Sequence, residues 1–207
     1  PETSQPYNFD YFLTHYVFQP WVIEGRELVR LFKLGSGKFI LVRVGFKENP
    51  PTLLISLISK QKLSAEEEKW IINMISWNFA VNEEVKYFYE EICQKDPVLK
   101  AACEEIYGAH LRTDPYVFES VLGVIMAQNV QFQRIYKMNE LLCQRFGESQ
   151  KFNGKTYYTF PTPERLAKAD LAQIRACKVG YRDKYIKGVA QKLVREKINL
   201  DDLRKID

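Results

Sequence analysis

Apolar residues recur along the chain with two different periods, and the change from one to the other divides it. Leu28 to Phe32 and Lys38 to Val44 are rich in β-branched and aromatic residues and flank Leu34 and the triplet Gly35-Ser36-Gly37, which predicts two strands joined by a tight glycine turn. The triplet is not followed by the glycine spacing or the Lys-Ser/Thr pair of a phosphate loop opening a helix, so it reads as a hairpin turn. Pro50-Pro51 interrupts the pattern, and Leu53 to Ile58 supplies another short apolar strand. Residues 1–62 are therefore expected to form a small antiparallel β-rich domain.

From Ser64 the period becomes helical. Ser64 followed by Glu67 is a capping-box signature, and Trp70, Ile71, Met74 and Ile75 fall on one predicted face. Asn82 opens a second predicted helix with Val85, Phe88, Tyr89 and Ile92 inward, and Asp96-Pro97 opens a third. Asp114-Pro115 predicts the cap of a helix that buries Val117, Phe118, Val121, Leu122 and Ile125. The next carries Ile135, Met138, Leu142 and Phe146 and ends at Gly147. The polar stretch up to Phe160 reads as loop. Thr162-Pro163 and Asp170 cap two short helices, the second ending near Cys177, and Tyr181 to Val194 is the last long one. Asn199 and Asp201 look like the start of another. The expected class is α+β: an N-terminal antiparallel sheet domain, then an all-α helical-bundle domain over 63–207.

Composition narrows the function classes. With 46% hydrophobic, 14% aromatic and 27% charged residues, the chain is neither disordered nor fibrous. No apolar run approaches the roughly 20 residues that span a bilayer, and Pro1 to Asp10 lacks a basic segment followed by an apolar one. An intracellular protein with no membrane partner is the expectation. Cys93, Cys103, Cys143 and Cys177 are separated by 10, 40 and 34 residues, with no CxxC pair and no histidine close enough to complete a tetrahedral set. They are expected to be reduced, buried thiols, with metal and disulfide readings as the alternatives; neither metal nor cofactor is assigned.

Charge is uneven. Residues 1–110 hold 12 Lys/Arg against 15 Asp/Glu, and residues 111–207 hold 18 against 11, so the positive charge lies in the C-terminal half. Arg175 to Lys197 alone has eight basic residues and two acidic ones. Such a run is either a phosphate-binding face or a solvated helix face.

Two polar elements interrupt the helical text. Met126 to Arg134 runs a buried helix into Gln128, Asn129, Gln131 and Gln133, and Lys178 to Tyr185 is a glycine turn presenting Tyr181, Arg182 and Lys184 together. A flat aromatic beside cations suits insertion into a base stack next to phosphates, and an amide can bond an orphaned base edge. Taken singly, the first is equally a helix corner with solvated amides and the second a glycine cap before a basic helix.

The order of these elements is what makes them recognisable. The run from Thr113 to Val194, with Ala127-Gln128-Asn129, then Phe160-Pro161-Thr162-Pro163-Glu164-Arg165-Leu166-Ala167-Lys168-Ala169-Asp170 and the Gly180-Tyr181-Arg182 turn, resembles the helix-hairpin-helix (HhH-GPD) DNA glycosylases of base excision repair. The N-terminal part, opened by Pro6 to Trp21, looks like the 3-methyladenine (alkylbase) branch, and the Gly180 turn is more similar to the 8-oxoguanine branch. The resemblance covers nearly the whole chain. It implies that Asn129 is the plug entering the gap left by a flipped nucleotide, flanked by Gln128, and that Tyr181 and Arg182 push into the opposite strand with Lys184 near the phosphates. Arg134 resembles a residue that reads the opposing base, its alternative being a surface arginine. His15 falls where the alkylbase branch places an aromatic near the base pocket.

In that family the DNA-anchoring glycine hairpin and the catalytic Asp are expected beyond Leu203 to Asp207, and Asp207 is not that acid because no hairpin precedes it. No catalytic residue is therefore assigned. The implied function is a glycosylase, or a fragment of one, that flips an alkylated or oxidised purine of duplex DNA and cleaves its glycosidic bond. It would act as a monomer on DNA, or with a second polypeptide completing the active site. The alternatives are a non-catalytic lesion-binding module and a helical protein-interaction domain.

Overall fold

The computed structural model describes residues 1–15 and 17–205, so Ile206 and Asp207, with what was expected of them, lie outside the described residues. The chain forms two compact units. The first comprises residues 1–17 and 22–113, and the second residues 18–21 and 114–207. The switch of hydrophobic period after residue 62 is a boundary of secondary structure, whereas compactness divides the chain at Thr113.

In the first unit, helix α1 (Phe9–Thr14) precedes a four-stranded antiparallel sheet in the order β1 (Val22–Glu24), β2 (Glu27–Lys33), β3 (Phe39–Lys47), β4 (Thr52–Ile58). The predicted hairpin is β2 and β3, with Phe32 opposite Ile40 and Lys33 opposite Phe39. Both strands bury consecutive residues rather than alternate ones, Leu28 and Val29 then Leu31 and Phe32, and Ile40 to Val42. They are covered on both faces, which is why they read as continuous apolar runs. Helix α2 (Ala65–Asn78) carries the capping box, with Glu67 N–H donating to Ser64 Oγ and Ser64 N–H to the Glu67 carboxylate. It buries Ile71, Ile75 and Asn78, and leaves Trp70 45% exposed. Trp70 thus departs from the expected inward face, because the real stripe runs i, i+4, i+7.

The Glu67 carboxylate also takes hydrogen bonds from Lys38 Nζ at 2.8 Å and Ser36 Oγ at 2.6 Å, so the hairpin turn is docked onto the first turn of α2. These donors, Lys38 foremost, hold the Glu67 carboxyl down to about 2.

After α2 the structure departs from the expected helix at Asn82. A π-helical turn over Phe88–Ile92 is followed by helix α3 (Pro97–Glu105), which Asp96 caps. Only Tyr89, Cys93 and Cys103 are buried in this segment's cluster, and Cys93 and Cys103 form a disulfide. This corrects the expectation of four reduced thiols: the turn before α3 folds back and brings their Cα atoms to 6.4 Å, a separation the intervening sequence does not reveal. Cys143 and Cys177 are buried thiols outside the disulfide, as expected.

The second unit is built from α4 (Val117–Ala127), α5 (Phe132–Phe146), α6 (Pro163–Lys168), α7 (Leu171–Ile174) and α8 (Asp183–Glu196). Their apolar faces form one core that includes Leu122, Met126, Met138, Leu142, Ile186 and Ala190. Asp114 does not cap α4. The Val117 N–H donates instead to Asp201 Oδ1, 84 residues later, and Asp114 takes the Ser120 hydroxyl. The stretch expected to be loop contains a hairpin, β5 (Ser149–Phe152) and β6 (Lys155–Tyr158), so this unit is not purely helical. Its turn, Asn153-Gly154, has positive φ at both residues, as a type I′ turn requires. Among the described residues no helix is long and apolar enough to cross a membrane.

Two outcomes follow. The Glu67 carboxyl is depressed in the folded chain, so the stability it confers is complete above its ordinary value of 4.5 and is lost as pH falls through about 2. Glu67→Gln should flatten the acid limb of a thermal-melt against pH profile in that window. Reducing Cys93–Cys103, which closes a loop of 10 residues, should cost about 2–3 kcal/mol on the loop-entropy relation. Denaturant melts with and without reductant, compared with Cys93→Ser, measure it.

Candidate nucleic-acid interface

The predicted site residues of the second unit lie on two loops, each pinned to the core on both sides. Helix α4 ends with Met126 buried, Gln128 and Asn129 then turn outward, and Val130 packs back against the core before α5 begins. The reversal is made by Asn129 at φ 47, a left-handed conformation that an asparagine tolerates better than most residues. The second loop leaves α7 with Ile174, Cys177 and Val179 buried, passes through Lys178 at φ 63 and Gly180 at φ 60, ψ −136, and enters α8. The Gly180 conformation is one that only glycine adopts readily. Burial pushes the Cys177 thiol up, consistent with a packing role.

A single side chain joins the loops. Arg182 Nη2 donates to the carbonyl of Gln128, and Nη1 donates to the carbonyl of Val179 at 3.3 Å. The guanidinium carbon lies 4.7 Å from the centre of the Tyr181 ring, in reach of a cation–π contact. Arg182 is therefore 5% exposed, although it stands between Tyr181, which is 55% exposed, and a basic helix. Of the residues expected to face DNA, the structure turns Gln128, Asn129, Tyr181 and Lys184 outward and Arg182 inward.

Asp183, not singled out in the sequence, is fully buried at the start of α8. Its Oδ2 accepts from Arg175 Nε and Nη2, each at 2.8 Å, and its Oδ1 accepts the Lys184 N–H at 2.8 Å. A buried carboxylate needs such partners. A signal existed, since Asp183 stands in phase with Ile186, Ala190 and Leu193, the buried face of α8. Tyr185, also overlooked, is 58% exposed with its ring 6.5 Å from that of Tyr181 and perpendicular to it. One ring stands on the turn before α8 and the other in its first turn.

Arg134 is exposed in the first turn of α5. A cation there opposes the helix dipole, which favours acids at that end, so helix stability does not explain its position. His15 belongs to the first unit. It stacks on Tyr11 with ring centres 4.4 Å apart, and its Nδ1 lies 2.8 Å from Thr14 Oγ1. His110, without an expected partner, is buried between the carbonyls of Ala80 and Pro6, each at 2.9 Å. A cavity of about 330 Å³ in the second unit is lined by Phe118, Glu119, Phe160, Leu193 and Ile198 among others, and by none of the loop residues above. Among the described residues no group of three or more His, Cys, Asp or Glu could hold a metal ion.

Comparison with known proteins covers the stretch that holds these loops. Residues 122–205 match the model of the HhH-GPD superfamily of base excision DNA repair proteins. The chain is 25% identical over 188 residues to the DNA-3-methyladenine glycosylase of Bacillus subtilis, covering 89% of this chain and 61% of that protein. It is 38% identical over 82 residues to the N-glycosylase/DNA lyase of Saccharomyces cerevisiae, covering 39% of this chain and 22% of that one. The chain thus spans less than two thirds of either relative. In fold it is similar to the 3-methyladenine DNA-glycosylase from Archaeoglobus fulgidus, with a TM-score of 0.76 at 21% identity over 92% of this chain and 65% of that one. Both loops and the arginine that joins them lie within residues 122–205, the stretch that is similar to the HhH-GPD superfamily of base excision DNA repair proteins.

Proposed function

We propose that this chain binds duplex DNA carrying a damaged base, as the lesion-gripping part of a DNA glycosylase that flips an alkylated or oxidised purine and cleaves its N-glycosidic bond. The observation that carries the reading is the meeting of two loops 54 residues apart through Arg182 and the Gln128 carbonyl, the first loop exposing Gln128 and Asn129 and the second Lys178 and Tyr181. The names of the relatives, a 3-methyladenine glycosylase and an N-glycosylase/DNA lyase, support the reaction, and the first supports an alkylated purine as the lesion.

Flipping a nucleotide costs a few kcal/mol of lost stacking and pairing, which groups filling the vacated space must offset. Asn129 supplies donors and an acceptor for the widowed base, and the flat ring of Tyr181 supplies a stacking surface. Both side chains stand clear of the core, so they are available to DNA at little cost to folding. Lys184 and the other cations of α8 draw phosphates toward the same turn. Arg134, exposed on the next helix, is the candidate for reading the base opposite the lesion, and His15 remains the candidate aromatic of a base pocket. Cleavage itself needs a carboxylate to stabilise oxocarbenium character or to position water, and no residue of this chain is assigned that step. Such a function places the protein inside the cell, with its DNA.

The measurement is fluorescence anisotropy of labelled duplexes, intact or with a central abasic-site analogue, titrated with the 207-residue chain. The parent should prefer the abasic duplex. Tyr181→Ala and Asn129→Ala should each reduce that preference by roughly tenfold, the scale of one lost base-stacking contact, with melting temperature nearly unchanged. Lys184→Ala should weaken both duplexes alike and flatten the dependence of log K on log salt by about one charge. Parent-like binding by both Tyr181→Ala and Asn129→Ala would overturn the assignment of these loops.

A further inference from the structure

We infer that Lys178 is a phosphate contact for duplex DNA, kept at a backbone conformation that lowers the stability of the free protein so that its charge stands near the Tyr181 turn. This rests on the reading of the two loops as a DNA-gripping face and adds to that face a residue set apart by its torsion angles. The chain from Arg175 to Val179 winds as a π-helical turn in which Lys178 has φ 63 and ψ 19, the left-handed region that disfavours a residue with a Cβ. Its neighbours Cys177 and Val179 are buried and fix the backbone, while the lysine side chain is exposed and adds nothing to the core. A glycine would take the same torsions without strain.

Lys197 shows what an ordinary left-handed lysine does. At φ 54 it closes the 14-residue helix α8, donates its N–H to the last turn, and sets a cation against the negative end of a long helix. Lys178 has no such helix before it, since α7 is four residues long. Nor does an acid hold it. Asp183 is the one acid between Asp170 and Glu196, and it is turned inward and paired with Arg175; among the described residues Lys178 enters no ion pair. Packing, helix capping and pairing within the protein all fail to account for a cation at this torsion. Its place beside Tyr181 accounts for it. The three residues from Lys178 to Tyr181 span at most about 10 Å, and each strand of a duplex carries a phosphate about every 3.4 Å along the axis. A Tyr181 ring in the base stack therefore leaves phosphates within reach of the long Lys178 side chain.

Stability and DNA binding should move in opposite directions in a single variant. Lys178→Gly is expected to raise the melting temperature by about 2 °C, through relief of one left-handed residue. It should also weaken binding to intact and abasic duplexes alike, by roughly fivefold at about 0.1 M salt, and reduce the slope of log K against log salt by about 0.9. Lys178→Arg, which keeps both the charge and the strain, should match the parent in melting temperature and in slope. Lys197→Gly relieves the same kind of torsion at the far end of α8, about 21 Å along its axis, and should leave the slope that of the parent.

Fluorescence anisotropy with the same two duplexes, and thermal melts of the free chain, measure these outcomes. Parent-like affinity and slope in Lys178→Gly would overturn the phosphate contact, and so would a lower melting temperature, which would show that the lysine stabilises the fold. A lost preference for the abasic duplex at an unchanged slope would overturn it as well, because Lys178 would then shape the turn and meet no phosphate. Equal flattening of the slope in Lys197→Gly would show a diffuse field in place of a contact. Failure of the wider reading looks different: a parent that binds neither duplex overturns both, whereas a parent that binds and responds to Lys184→Ala but not to Lys178→Gly overturns the role of Lys178 alone.

Discussion

A buried guanidinium is costly unless its donors are satisfied, and the charge of Arg182 can be accommodated only where carbonyls converge on it. The second unit offers it the Gln128 and Val179 carbonyls, one from each loop, and leaves Nε buried without a hydrogen-bond partner. Asn129, next to Gln128, and Tyr181, two residues past Val179, are both exposed. The core sets the limits of the arrangement, because Met126 and Val130 on one loop and Val179 and Ile186 on the other leave the connecting residues little freedom.

How much of this could be read from the sequence depends on the range of the interaction concerned. Strands β2 and β3 and helices α2, α4, α5 and α8 follow from period, turn chemistry and caps, all signals contained within a few residues. The β5–β6 hairpin also had a local signal in Asn153-Gly154, but its strands are four residues each and polar enough to resemble loop. What local signals cannot supply is a partner distant along the chain. Asp201 capping α4 across 84 residues is one case, and the Cys93–Cys103 pairing, which depends on a π-helical turn folding back on α3, is another.

The same limit explains the candidate site. Arg182 and Lys184 are both basic, two residues apart, and indistinguishable in charge, yet one is buried and the other exposed. The difference comes from helix phase and from a carbonyl that the sequence places 54 positions away. The resemblance grouped Arg182 with Lys184, and the structure buries the first and exposes the second. Asp183 was legible in principle, being in register with the apolar face of α8, but an acid at a helix start reads as a solvated cap unless that register is given precedence.

Both loops carry backbone strain. Of the non-glycine residues at positive φ, Asn129 and Lys178 lie one in each loop, and Gly180 adds a conformation closed to other residues. Such torsions cost on the order of 1–3 kcal/mol each for residues with a side chain, so they persist only where the surroundings determine them. Here the determination comes from the buried residues on either side of each loop and from the guanidinium between them, with neither strained residue contributing to the core itself. A lysine at φ 63 beside the turn makes little sense as packing, since a glycine there would relieve it. The exposed side chain of Lys178 adds a cation to the run of eight basic residues from Arg175 to Lys197, so the strained position carries surface charge rather than packing.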